Sequence, residues 1–133
     1  GLGAIRWTRP EQIHLTRKRY YEHGIDYSAT FSVGGRHVTN VNLIIYNRDD
    51  HELTANVRKL FHTLVQDSAA AGYAEYRTHL SYMDEVAGTF GFNDHALRKL
   101  NESLKDMLDP NGILAPGRNG IWPKAYRDQR GKA

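Results

Sequence analysis

The fold of this chain is decided by residues 25–46, which read IDYSATFSVGGRHVTNVNLIIY. Apolar and polar residues alternate from Ile25 to Val33, and a period of two is typical of a half-buried strand. Gly34 and Gly35 follow, and glycine readily adopts the positive φ angles of a tight turn. Residues 36–46 alternate again. The stretch therefore predicts an antiparallel hairpin.

The returning strand of this hairpin carries two amides on one face, Asn40 and Asn42. Amide side chains at alternate positions of a strand fit either the wall of a binding pocket or a side that faces water. The sequence leaves both interpretations open.

Helical patterns surround the hairpin. Residues 11–23 follow Pro10, which suits a first helical turn, and residues 50–71 carry an apolar stripe at 3.6-residue spacing. A further helix is expected after Asn93, which we predict as its N-cap. The order helix, hairpin, helix, strand, helix predicts an α+β fold with an antiparallel sheet flanked by helices.

The strand in that order is predicted at Tyr73–His79, and it contains the pair Tyr76-Arg77. A phenol hydroxyl and a guanidinium are hydrogen-bond donors suited to an oxyanion such as a phenolate or a carboxylate. The simpler interpretation is a strand whose tyrosine packs inward while its arginine meets solvent.

The tail, about residues 109–133, is expected to follow a fixed irregular path. It is rich in proline and glycine, yet its apolar residues are too many for a disordered segment, so we expect it to pack on another surface, which the sequence does not identify. From Lys124 onward the residues are polar and basic, and this end is expected to fray.

Composition narrows the class of protein. A chain of 133 residues with 40% hydrophobic content is long enough for one domain with a core. The absence of cysteine excludes disulfides and thiolate metal sites, and the spacing of the histidines indicates no metal site. The net charge of +3 is spread along the chain, so a nucleic-acid module is an open but disfavoured alternative and nucleic acid is not expected as a partner. No membrane is expected either, because no apolar run approaches the roughly 20 residues that a membrane helix needs.

Two stretches carry a family resemblance. Residues 72–84, GYAEYRTHLSYMD, and residues 104–123, LKDMLDPNGILAPGRNGIWP, resemble the vanillyl-alcohol oxidase and 4-cresol dehydrogenase family of FAD-linked oxidases. The shorter core DPNGILAPG is shared by FAD-linked oxidases more widely, while the Tyr-Arg stretch points to the phenol-oxidising branch. The resemblance extends over nearly the whole chain.

The resemblance implies FAD as cofactor and a 4-alkylphenol as substrate. The phenol would be bound as its phenolate, and hydride transfer to flavin N5 would give a quinone methide. The family's phenolate-binding pair falls on Tyr76 and Arg77, which are the expected catalytic residues. Arg77 and Arg118 are expected to contact the flavin, and Asn40 is a candidate for substrate binding.

The resemblance also implies a missing part, because the family's FAD-binding domain precedes the segment matched here. The chain would be the latter part of the substrate (cap) domain plus the tail, in one domain over residues 1–133. It begins with Gly1 and has methionine only at Met83 and Met107, which is consistent with a processed or trimmed piece of something larger. We expect it not to retain FAD or turn over alone, and to self-associate through an exposed Ile121-Trp122.

Other functions stay open at this point. A stand-alone module could bind a small aromatic acid or phenol without redox chemistry, using Asn40, Asn42, Tyr76 and Arg77. Within the oxidoreductase reading, oxidase and dehydrogenase are not distinguished, and a cytochrome c acceptor and a homo-oligomer are both compatible partners. A soluble protein of the cytoplasm or periplasm is expected.

Overall fold

The computed structural model describes residues 10–35, 37–75 and 77–130. The chain divides into two compact units, residues 1–68 and 69–133, each of which is described by itself. The prediction of one domain over the whole chain stays a prediction. The observed elements, helices with an antiparallel sheet, confirm the α+β class.

The first unit contains helix α1 (Pro10–Glu22), strands β1 (Ser28–Val33) and β2 (Val38–Leu43), and most of helix α2 (His51–Ala70). Most ends of the two helices and the two strands lie within one or two residues of the predicted bounds. The strands are shorter than predicted. Ile25, for example, is buried in the core but precedes the first strand and takes no part in the ladder.

The hairpin is antiparallel, with Ser28 opposite Leu43 at its base and Val33 opposite Val38 at its tip. Residues flanking the base, Tyr27, Ile44 and Tyr46, pack against the core of the unit. Apolar side chains nearer the tip are exposed, so the predicted half-buried pattern holds only at the base.

The core of the first unit joins α1 to α2 through Tyr20, Ile25, Val57 and Leu60. Tyr20 and Leu60 are completely buried. The Tyr20 ring meets the Tyr27 ring edge to face at a centroid distance of 5.3 Å, a favoured geometry for aromatic pairs. Burial raises the pKa of both phenols.

The second unit begins with an irregular segment. The predicted strand at Tyr73–His79 is wrong for every residue of it that the structure describes, and the described sheet has two strands. A strand needs a neighbouring strand for its hydrogen bonds, and the described residues of this segment pair with neither β1 nor β2. The His79 ring nitrogen accepts a hydrogen bond from Ser81 N at 3.2 Å, which starts a 3₁₀ turn at Leu80–Tyr82.

Three helices follow: α3 (Met83–Thr89), α4 (Phe92–Leu108) and α5 (Lys124–Arg130), with a 3₁₀ turn at Arg118–Gly120. Asn93 is not the predicted N-cap, because α4 begins at Phe92 after Gly91. Asn93 lies inside the helix with a left-handed backbone (φ 48°), as do the next two residues. Such a run is rare for residues other than glycine.

Residues 124–130 form helix α5, so the prediction of fraying from Lys124 is wrong for them. The reason is a tertiary contact. The Arg127 guanidinium donates two hydrogen bonds to the Asp106 carboxylate of α4, with Nη1–Oδ1 at 3.2 Å and Nη2–Oδ2 at 2.5 Å. Arg127 Nη1 also donates to the Trp122 carbonyl oxygen at 2.5 Å. The sequence shows the charges but not that they meet.

Candidate functional site

The second unit contains a cavity of about 600 Å³ between α3, α4 and the loop that follows α4. Its walls are mainly apolar, with Val86 and Phe90 on the α3 side and Leu97, Leu104 and Leu108 along α4. Polar groups interrupt these walls at a few positions: Glu75, Thr78, Arg98, Asn101, Lys105, Asp109, Arg118 and Asn119. An apolar cavity with a few polar groups is the usual form of a binding site.

The polar side of the cavity begins at the segment that precedes α3. Glu75 and Thr78 both line the cavity and are partly buried. Burial raises the pKa of the Glu75 carboxyl, since removing water disfavours the charged form. Glu75 and Thr78 therefore face the cavity.

The loop after α4 is held by a buried carboxylate. Asp109 is 7% exposed, and its oxygens accept hydrogen bonds from Ile113 N at 3.0 Å and Leu114 N at 2.9 Å. Lys105 Nζ lies 2.6 Å from Asp109 Oδ2 and also donates to the Leu114 carbonyl oxygen. The Lys105 hydrogen bond lowers the pKa of Asp109. The Asp-Pro-Asn-Gly sequence thus forms a turn fastened to the helix.

Arg118 lies on a tight turn beyond that loop. Gly117 precedes it with φ +81°, and a Cβ there would lie 2.4 Å from the Trp122 ring, so only glycine fits. The Asn119 N–H contacts the Met83 sulfur at 3.2 Å, and Trp122 Nε1 donates to Asp84 Oδ1 at 2.7 Å. Both contacts tie the turn to α3. The Arg118 side chain is exposed and borders the cavity.

These contacts confirm the prediction that the tail packs, and they identify its partner as α3 of the same unit. The prediction of an exposed Ile121-Trp122 is wrong, because both residues are partly buried. The exposed apolar surface lies instead on α4 and the loop after it, where Met107 is 67% and Ile113 74% exposed.

The predicted site residues have different outcomes. Tyr76 lies outside the described residues. Arg77 is exposed and is not among the residues that line the cavity, whereas Arg118 is. Asn40 belongs to the first unit, where both amide atoms are buried and lie near the Tyr27 hydroxyl, whose pKa the amide lowers slightly against the larger effect of burial. The catalytic and binding roles of these residues stay predictions.

Sequence reasoning missed Arg98. Its Nε is buried and has no hydrogen-bond partner within the part of the chain that the structure describes. It follows Leu97 on α4, and Asn101 and Lys105 continue the same polar row at helical spacing. The sequence shows that spacing as a polar row beside an apolar stripe, but only the structure shows that the Arg98 Nε is buried.

The exposed cations suit the cofactor predicted from the resemblance. Arg77 and Arg118 are exposed, and neither forms an ion pair with another described residue. The pyrimidine edge of a flavin accepts hydrogen bonds, which a guanidinium donates well. Among the described residues no group of three side chains is arranged to hold a metal ion, and no helix has the length and hydropathy to cross a membrane.

Comparison with known proteins shows which enzymes the chain is similar to. It is 35% identical to the 4-cresol dehydrogenase [hydroxylating] flavoprotein subunit of Pseudomonas putida over 131 residues, which are 91% of this chain and 25% of that protein. A solved structure of 4-ethylphenol oxidase from Gulosibacter chungangensis, in complex with isoeugenol, superposes with a TM-score of 0.85 at 39% identity. That match covers 87% of this chain and 22% of the oxidase.

The chain thus spans about a quarter of the length of these relatives. The family model described as "FAD linked oxidases, C-terminal domain" matches residues 8–119, most of the chain. Since a family match of this extent shows membership, the chain belongs to the FAD linked oxidases and corresponds to their C-terminal domain.

Proposed function

We propose that this chain is the C-terminal part of an FAD-dependent oxidoreductase that oxidises 4-alkylphenols. The observation that carries the proposal is the TM-score of 0.85 at 39% identity to a 4-ethylphenol oxidase. A similarity of this level to two enzymes named for 4-alkylphenols supports the phenol branch rather than flavoenzymes in general.

In this proposal Tyr76 and Arg77 hold the phenol as its phenolate. A phenolate removed from water loses its hydration, and charge-assisted donors already in place offset that loss. The exposed Arg77 guanidinium has its donors available, since it forms no ion pair with another described residue. Asn40 is a further candidate for substrate binding.

FAD supplies the hydride acceptor when it is bound. On the substrate, a phenolate that loses a hydride from its benzylic carbon becomes a neutral quinone methide, to which water adds. Holding the phenol deprotonated is therefore the contribution of Tyr76 and Arg77 to the reaction. Arg118 is proposed to lie along the flavin, on a turn that Gly117 and Trp122 keep in place. Arg77 also favours a negatively charged reduced flavin.

The remainder of the protein is part of the proposal. Because the chain matches about a quarter of its relatives, the flavin-binding part is proposed to lie in the rest of the intact protein. The chain alone is then not expected to retain FAD or to turn over. The electron acceptor, oxygen or a cytochrome, depends on groups around the flavin that this part does not supply.

The test is Arg77→Ala in the intact protein, followed by anaerobic stopped-flow reduction of the flavin by 4-cresol. We expect the rate to fall by about 100-fold or more, the usual loss when a donor to a developing or buried oxyanion is removed. Arg58→Ala, an exposed arginine of α2, is the matched control and should leave the rate unchanged. A near-normal rate for Arg77→Ala would remove this residue from the mechanism.

A further inference from the structure

The segment that carries the proposed phenolate-binding pair is not held by regular secondary structure. Glu75, Arg77 and Thr78 lie outside every described helix and strand, so the hydrogen bonds of a helix or a sheet do not fix their backbone. A donor that binds substrate needs rigid support, because a displacement of about 1 Å is costly to the reaction. Side-chain contacts close to Arg77 are therefore the source of that support.

Glu75 and Thr78 flank the pair, and their surroundings are opposite to those of Arg77. Both side chains line the cavity and are partly buried, whereas the Arg77 side chain is exposed. The segment thus has one inward-facing polar side chain before the pair and another after it.

The carboxyl of Glu75 and the hydroxyl of Thr78 interact. Burial raises the pKa of the Glu75 carboxyl, and the Thr78 hydroxyl acts against this by donating to the charged form. Thr78 Oγ1 is itself buried and has no other hydrogen-bond partner among the described residues. A buried hydroxyl without a partner costs free energy, so the Glu75 carboxyl is the acceptor that Thr78 requires.

An ion pair would be the alternative role for a partly buried carboxylate. Arg98 and Arg118 line the same cavity, but within the part of the chain that the structure describes the groups that act on Glu75 are Thr78 and Glu85. Glu85 is acidic, and it raises the pKa of Glu75 further. Glu75 is thus coupled to the hydroxyl across the pair and not to a cation.

We propose that Glu75 is a positioning residue, whose carboxyl accepts a hydrogen bond from Thr78 across Tyr76 and Arg77 and so fixes the pair for the phenolate. The contact restricts the backbone between the two side chains, which lowers the entropy that the segment loses when substrate binds. The inference rests on the proposed function for the role of the pair.

The test is a double-mutant cycle in the intact protein, read by anaerobic reduction of the flavin with 4-cresol. Glu75→Ala and Thr78→Val should each slow reduction by about 10-fold or more, because the donors to the phenolate are then displaced. The double variant should lose no more than either single variant, since both substitutions break the same contact. Glu75→Gln keeps an acceptor and should restore most of the rate, and Glu52→Ala, at an exposed carboxylate of α2, is the control.

A second ligand separates positioning from a merely structural role. The variants should bind 4-cresol more weakly but should bind 4-methylanisole, which has no ionisable hydroxyl, as the unmodified protein does. Equal weakening for both ligands, or additive losses in the cycle, would overturn the role of Glu75.

Failure of this inference is distinguishable from failure of the proposed function. Additive losses at Glu75 and Thr78 together with slow reduction in Arg77→Ala would overturn the hydrogen bond across the pair and leave the pair in the mechanism. A normal rate in Arg77→Ala would overturn the proposed role of the pair, and the role of Glu75 with it.

Discussion

Helices α2 and α4 both have an amphipathic sequence, but the apolar face of α2 is covered and that of α4 is exposed. Each carries large apolar residues at helical spacing. In α2 the stripe is covered, and Val57, Leu60 and Val65 are buried. In α4 no residue is buried. An amphipathic pattern shows that a helix has a partner, but it does not show whether that partner is in the same chain.

The two units are accordingly stabilised in different ways. The first depends on side chains buried between α1 and α2, with Tyr20 and Leu60 completely buried. In the second, Met83 and Val86 are the buried hydrophobic residues among those described, and much of the order comes from close turns and ion pairs. This difference predicts which substitutions will matter in each unit.

The largest effect is expected for Leu60→Ala. Removing a fully buried leucine should lower the free energy of unfolding of the first unit by about 2–5 kcal/mol, through lost burial and a cavity. Leu104→Ala on the exposed stripe of α4 should cost less than about 1 kcal/mol. Urea denaturation followed by circular dichroism, with hydrogen exchange to assign the unit, measures both. Equal losses would show that the α4 stripe is buried in solution.

An intermediate effect is expected for Gly117→Ala in the tail. The new Cβ would meet the Trp122 ring in a backbone with φ +81°, so we expect a loss of about 2 kcal/mol or more. Gly24→Ala is the matched control in the first unit. Its φ is +70° but no atom lies within 4 Å of the new Cβ, so about 1 kcal/mol of backbone strain is expected. Thermal unfolding compares the two variants, and similar losses would mean that the Trp122 contact gives way easily.

The smallest effect is a pH dependence of the second unit. The pKa of Asp109 is lowered by its hydrogen bond from Lys105, so its folded-state pKa lies below the ordinary value of 3.8. The stabilisation is therefore complete above the ordinary value and is lost as pH falls through the folded-state pKa.

Acid titration of stability, followed by hydrogen exchange at residues 109–117, checks this dependence. Asp109→Asn and Lys105→Met should each flatten it, because one removes the titrating group and the other its donor. An unchanged pH profile in both variants would show that this pair contributes nothing to the acid stability of the loop.

The sequence was sufficient for what local periodicity controls. The predicted bounds of helices α1 and α2 and of the hairpin are close to the observed ones, because apolar stripes specify the helices and alternation on both sides of Gly34-Gly35 specifies the hairpin. The positive φ angles expected at Gly34 and Gly35 are not found. It was insufficient at Tyr73–His79, since alternation predicts a strand only where a neighbouring strand is present to pair with it. It failed again at Lys124, since the helix there depends on Arg127 reaching Asp106.

The candidate site divides in the same way. The sequence by itself determined the family, through the Tyr76-Arg77 and Asp109–Gly117 stretches, because such motifs are fixed by their residue types and spacing. Only the tertiary structure decided that Arg118 borders a cavity, that the Nε of Arg98 is buried without a hydrogen-bond partner among the described residues, and that the apolar side chains of α4 are exposed. Burial and pairing depend on contacts between residues that are far apart in the sequence. Local periodicity does not show which of these residues come into contact.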